Sequence, residues 1–234
     1  MAPPATTINL YRPPSQVDAH LNDYFLNEMT QTMSESASHS LRTSSEAKRA
    51  YLERKRLQIG GTELTEDEPG RITVIQKNDL DEAHRLRMDA AGYKVGWSLA
   101  ERLSRDKPRI SKAIPDPLEI MKFICKDIWT AMYNKQVDNL RTNHRGIYVI
   151  QDHSYRAFLR VSVPKGYESE MDEMCRKMVI FPSAVIRGAL MNLGVQSVVS
   201  VEIAIPQCTF QIRTTSTTPN PNTPPANPNP AKPN

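Results

Sequence analysis

The sequence predicts an α+β fold of two layers, an antiparallel sheet with its helices packed on one face. Apolar residues recur every three or four positions in the first half, alternate, return to helical spacing, then alternate again. The alternating runs are joined by turns too short for the crossovers that parallel strands need. Helices and strands grouped in blocks, instead of strictly alternating, mark the α+β class.

The first helix is expected from Val17, where Val17, Leu21, Tyr24, Phe25, Met29 and Met33 fall on one face. Helical spacing resumes over Leu80 to Met88 with Ala90 and Ala91. Gly92 is expected to cap that piece and bend the chain, and Val95, Leu99 and Leu103 then form a second piece. A third helix starts at Asp116, an N-cap oxygen followed by Pro117 at the first helical position and Glu119. Its stripe is Leu118, Met121, Cys125, Ile128, Trp129 and Met132. A short extended run, Val137 to Thr142, leads through the turn Asn143, His144, Arg145, Gly146 to a strand from Ile147, and alternation predicts another strand from Tyr155 to Val163. A helical stripe follows from Met171 to Leu193, kinked at Pro182 and closed by Gly194. Val195 to Ile205 and Cys208 to Ile212 form a final hairpin.

Between about Ser34 and Asp79 the polar run SESASHS, the basic AKRAYLERKR, a glycine pair and the acidic TEDEPG suggest a long disordered insertion. Residues 1–16 are expected to form a flexible N-terminus, 17–213 one domain, and 214–234, crowded with Pro and Asn, a disordered tail. With 39% apolar residues the remainder can build a core. A net charge of +4, from 30 basic and 26 acidic residues, is too mild for a dedicated nucleic-acid binder. The one dense basic cluster, Lys48 to Arg56, is expected to be a solvated helical run, with a membrane-surface or nucleic-acid contact as the alternative. Cys125, Cys175 and Cys208 stand in apolar surroundings, as buried free thiols of a reducing compartment do. No stretch approaches the ~20 apolar residues of a membrane span. A soluble, intracellular chain is expected.

The stretch NLRTNHRGIYVIQD, Asn139 to Asp152, gathers the residue types of an active site, yet Asn and Gly at its centre are turn formers. A catalytic role for His144 or His153 needs partners that the sequence lacks: no nucleophile stands with a base, and no motif for zinc, phosphate or dinucleotide occurs. No catalytic residue, metal or cofactor is expected. The methionines from Met171 to Met178 suggest, as an alternative function, a module for a small apolar ligand or lipid.

Ile120 to Asp152, with VIRGALMNLGVQSVVSVE (Val185 to Glu202), MDAAGYKVGWSLAERLSRD (Met88 to Asp106) and FLNEM (Phe25 to Met29), resembles the small-subunit family of the TRAPP complex, in particular its subunit 6 type. The sequence departs from the family at Gly188-Ala189, at Met191, and before Gly92, where two alanines stand. The resemblance implies the two-layer TRAPP small-subunit fold and a non-enzymatic role in a complex that tethers vesicles and exchanges nucleotide on Rab/Ypt GTPases. It implies pairing with a Bet-three-type subunit through the first two helices. Leu21, Tyr24, Phe25, Met29, Met88, Val95 and Leu99 are therefore expected at that contact. It also implies contact with other TRAPP subunits, an indirect link to the GTPase, no nucleic acid, and a cytoplasmic location at Golgi and ER–Golgi membranes, touched only through the complex. Cys125 lies within its helix, away from the position that the Bet-three branch acylates, so no acyl chain is expected.

Overall fold

The computed structural model describes residues 21–58, 76–108, 110, 116–143 and 145–215. The chain forms α1 (Leu21–Gln58), α2 (Lys77–Ser104), α3 (Pro117–Phe123), a π-helical turn (Ile124–Ile128), α4 (Trp129–Tyr133), β1 (Asn139–Thr142) and β2 (Ile147–Asp152). A 3₁₀ turn (Arg156–Arg160), α5 (Glu168–Met178), α6 (Ile180–Asn192), β3 (Gln196–Ala204) and β4 (Gln207–Thr215) complete it. The expected N-terminal segment, residues 59–75 of the expected insertion and the tail beyond Thr215 lie outside the described residues, whereas 77–79, expected in the insertion, begin α2.

The sheet is antiparallel throughout, in the order β1-β2-β4-β3. Pairing sets Ile150 opposite Phe210, and Phe210 opposite Val201. Directly opposed residues share a face. Tyr148, Ile150, Phe210, Ile212 and Cys208 are buried on that face, whereas Arg141, Arg213, Val198 and Ser200 on the other are exposed. The helices cover the buried face, as an α+β fold of this class requires. Trp129 meets Phe210 edge to face with ring centroids 5.5 Å apart, and Tyr155 meets Phe158 the same way at 4.9 Å.

Several local structures follow from chemistry visible in the sequence. Asp116 Oδ1 accepts the Leu118 N–H at 3.1 Å, with Pro117 behind it. Asn143 Oδ1 accepts the N–H groups of Arg145 and Ile147 at 2.9 and 3.0 Å, and Gly146 takes φ +82°, so the stretch from Asn139 to Asp152 is two strands and a turn. His144 lies outside the described residues. Gly194, at φ +81°, closes α6 as expected.

Other elements depart from expectation, each for a physical reason. Residues 34–58 were expected to belong to a disordered insertion, yet they continue α1. No Gly or Pro interrupts the run from Leu21 to Gln58, and Ala, Glu, Lys, Arg and Leu crowd its end, so helix propensity holds where burial does not. Gly92 does not end a helix, because α2 runs unbroken from Lys77 to Ser104. Its role is close approach: a Cβ at Gly92 would meet the Phe181 carbonyl, one at Gly96 would overlap that of Val185, and one at Gly188 would overlap that of Tyr93. The three glycines let α2 and α6 cross backbone to backbone.

The strand expected from Tyr155 to Val163 is instead the 3₁₀ turn followed by extended chain. Tyr155, Phe158 and Val161, three apart, pack on the core, a spacing that a three-residue turn satisfies. The break between α5 and α6 falls at Val179, three residues before Pro182, because the proline ring excludes a regular turn ahead of it. The π-turn was not foreseen. Trp129 N–H reaches the Ile124 carbonyl five residues back, while the Cys125 carbonyl accepts the Val137 N–H at 3.2 Å.

Candidate partner interface

The N-terminal turns of α1 are held from one side only. Asp23 is buried and pairs with Arg156 of the 3₁₀ turn at 3.2 Å, with Arg160 at 3.9 Å. Arg160 in turn lies over the Tyr24 ring, 5.7 Å from its centroid. Leu26 and Ala37 face the core, and the buried His84 of α2 faces the Thr30 carbonyl through Nε2 at 3.2 Å. These contacts fix which face of α1 the chain covers itself. The opposite face carries Leu21, Tyr24 and Phe25, which are 56%, 55% and 59% exposed.

The other expected contact residues divide. Val95 is exposed on α2, at 39%. Met29 and Leu99 are half-buried against the chain's own core. Met88 requires a correction: it is fully buried, in line with His84, Gly92, Gly96 and Ala100 on the inward side of α2. An apolar side chain in a helix shows that it wants cover, and its spacing alone does not say whose. Residues that the sequence reading missed are Leu86 and Trp97 on the outer side of α2, and Leu159 beside Arg160, all exposed. Leu86, Ala90, Tyr93 and Trp97 recur at helical spacing, a signal available from sequence once α2 is taken as one helix. The rings of Tyr93 and Trp97 stand 6.2 Å apart, and Arg187, paired with Asp89, lies 5.4 Å over Tyr93.

The electrostatics of the interior favour structure over chemistry. Burial pushes the Cys125 thiol up to about 12 and that of Cys175 to about 11; Cys208 is raised as well, by burial first and the Asp152 charge second. Such thiols stay protonated and are poor nucleophiles. Tyr133 and Tyr155 share a hydrogen bond of 2.8 Å and are held protonated by burial. The buried Asp152 accepts from Trp129 Nε1 at 2.9 Å, from the Ser154 N–H at 3.1 Å and from Lys135, which pins the β2 end to α4. His153 is exposed, its ring Nδ1 3.4 Å from Gln207 Oε1. Among the described residues no group of His, Cys, Asp and Glu could hold a metal ion, and no helix is long and apolar enough to cross a membrane. Met178 is buried in the core, and Met174 lines an open cleft shared with Glu170, Glu173 and Lys177, a charged surround for an apolar ligand.

The surface that this chain offers is thus apolar and helical, built from two neighbouring helices. Comparison with known proteins gives it a context. The family model described as Transport protein particle (TRAPP) component matches residues 21–215. Trafficking protein particle complex subunit 6b of Danio rerio is 44% identical over 127 residues, which cover 54% of this chain and 76% of the relative. Subunit 6A of Homo sapiens is 40% identical over 126 residues, 53% of this chain and 74% of the relative. A solved trafficking protein particle complex subunit 3 from Naegleria fowleri, covalently bound to palmitic acid, covers 74% of this chain and 96% of its own, at 14% identity and a TM-score of 0.48.

Proposed function

Because the chain belongs to the TRAPP component family, in its subunit 6 type, we propose that this TRAPP subunit is architectural and heterodimerises with a Bet-three-type sister subunit through the outer face of α1 and α2. In this reading the assembly tethers vesicles and promotes nucleotide exchange on Rab/Ypt GTPases. This chain contributes no catalytic group and supports assembly at the cytoplasmic side of ER–Golgi and Golgi membranes.

The observation that carries the proposal is the exposed trio Leu21, Tyr24 and Phe25 on α1, with Val95 exposed on α2. Large side chains left uncovered by the chain itself are what permanent interfaces use, and aromatic residues supply most of the energy at such contacts. Leu21 and Phe25 are one helical turn apart, so a single groove on a partner can take both.

Co-expression with a Bet-three-type subunit tests it. The wild-type chain is expected to co-purify as a one-to-one pair, and Leu21→Asp with Phe25→Asp to weaken pairing at least about a hundredfold, since hot-spot truncations each cost roughly 2 kcal/mol or more. Retention of the pair by the double variant would remove the interface. Added alone to a GDP-loaded Rab, the chain is expected to leave the rate of GDP release unchanged.

A further inference from the structure

The distal half of α1 carries charge that the rest of the fold leaves uncompensated. Several exposed cations elsewhere sit against carboxylates: Lys77 against Glu173, Arg85 against Glu82, Arg105 against Glu101, Lys122 against Glu119. Lys48, Arg49, Arg54 and Lys55 are exposed and make no ion pair among the described residues, although Glu46 and Glu53 stand in the same helix. Beyond Ala37 no described side chain of α1 is buried, and Ser38, Leu41, Ser45 and Leu52 are half-buried along one strip.

Helical geometry sorts the charges. Residues two apart point to nearly opposite sides of a helix, about 200° around its axis. Glu46 and Glu53 precede Lys48 and Lys55 by two, so each glutamate faces away from its lysine. Lys48, Tyr51 and Lys55, at spacings of three and four, share one line, and Arg54 flanks it. Tyr51, 64% exposed, is at the centre of that line. Arg42 and Arg49, seven apart, lie on the glutamate side. One side is therefore cationic with an aromatic centre, and the other is mixed and near neutral.

We propose that the side of α1 formed by Lys48, Tyr51, Arg54 and Lys55 docks on an anionic lipid bilayer. A straight rod meets a plane along a single line, and the line carries cations while both acids turn away. Basic side chains near an anionic leaflet each add to binding, and a tyrosine ring settles at the headgroup level with its hydroxyl in water. A nucleic-acid duplex, the other polyanion, is the competitor in the test below. The contact is made by this chain itself and uses none of the side chains of the sister-subunit face, because Tyr51 is 26 positions beyond Phe25 on the helix.

Co-sedimentation of the full chain with phosphatidylcholine vesicles, with and without phosphatidylserine, tests the proposal. Binding is expected only with phosphatidylserine, and is expected to fall away as salt is raised from about 0.1 M to about 1 M, where the screening length drops to ~3 Å. Lys48→Glu with Lys55→Glu is expected to lower affinity about thirtyfold or more, and Tyr51→Ala by a few-fold. Arg42→Glu with Arg49→Glu makes the same change in net charge on the opposite side and is expected to cost less than about threefold. Circular dichroism verifies that each variant keeps its helix; if the glutamate pair loses it, Lys48→Gln with Lys55→Gln takes its place. Equal losses from the two double variants, no binding to charged vesicles, or tighter binding to a DNA duplex with no dependence on Tyr51 would each overturn the proposal.

Discussion

Asp152 shows what one carboxylate does in this interior. It is fully buried yet satisfied by Trp129, Lys135 and the Ser154 backbone. Asp152→Ala leaves the Trp129 indole N–H without its acceptor and Lys135 with only the Ser154 carbonyl and Asp138 among the described residues, and a loss of about 3 kcal/mol is expected by urea denaturation. Asp152→Asn keeps one acceptor and should cost less. His84 predicts a pH dependence. Burial lowers its pKa below the usual 6.5, opposed by the Thr30 carbonyl; nearby Lys177 lowers it further and Asp81 raises it. The unfolded chain then binds the proton more readily than the folded one, so stability is full above pH 6.5 and declines as pH falls from there towards the lower folded value. Melting temperatures measured at pH 7.5 and pH 5.5 are expected to differ in that direction. His84→Gln, which titrates in neither state, is expected to flatten the change. The identity of these residues was visible in the sequence, but their burial was not. Nothing local distinguishes Asp152, among Asn, Arg and His neighbours, from a catalytic carboxylate.

Elements were legible wherever chemistry is local. The Asp116 cap, the Asn143 to Gly146 turn, the Gly194 stop and the β3–β4 hairpin all depend on residues within a few positions of one another. What was not legible depends on distant chain. Gly92 looks like a break because the Phe181 carbonyl that requires it is some ninety residues away. Tyr155 to Val163 fits both a period of two and a period of three, and the rings of Trp129, Tyr133 and Phe210 decide between them. The glycine crossing yields a prediction of sign. In an exposed helix Gly→Ala stabilises by up to about 1 kcal/mol. At Gly96 the added methyl would overlap the Val185 backbone, which cannot swing aside, so Gly96→Ala is expected to destabilise by about 3 kcal/mol in denaturant titration.

For the molecule as a whole, one side of the sheet is polar, the other carries the core, and the outer helices end in apolar residues that the chain does not cover. Under the proposed function a sister subunit covers them. A partner that binds only the folded chain, present at about a hundred times its Kd, adds roughly 2.7 kcal/mol, or roughly 8 °C in Tm for a chain of this size. Differential scanning fluorimetry with and without the sister subunit is expected to give a shift of that order, and none with Leu21→Asp and Phe25→Asp. Of the residues expected at the contact, Leu21, Tyr24 and Phe25 are exposed and Met88 is buried. An amphipathic helix declares its greasy side, but only the neighbouring backbone, here α6 beneath α2, determines how much of it remains outside.

The length of α1 has a mechanical meaning. At 1.5 Å per residue its 38 residues measure about 57 Å, and no Gly or Pro between Leu21 and Gln58 offers a hinge. Such an element acts as a lever: clamp it at its root, and the direction of its far tip is set, with a tilt of roughly 10° at the root swinging the tip by about 10 Å. Whatever grips Leu21 to Phe25 therefore also aims the other extremity, so that two places on the molecule sharing no side-chain contact still answer to each other through stiffness alone.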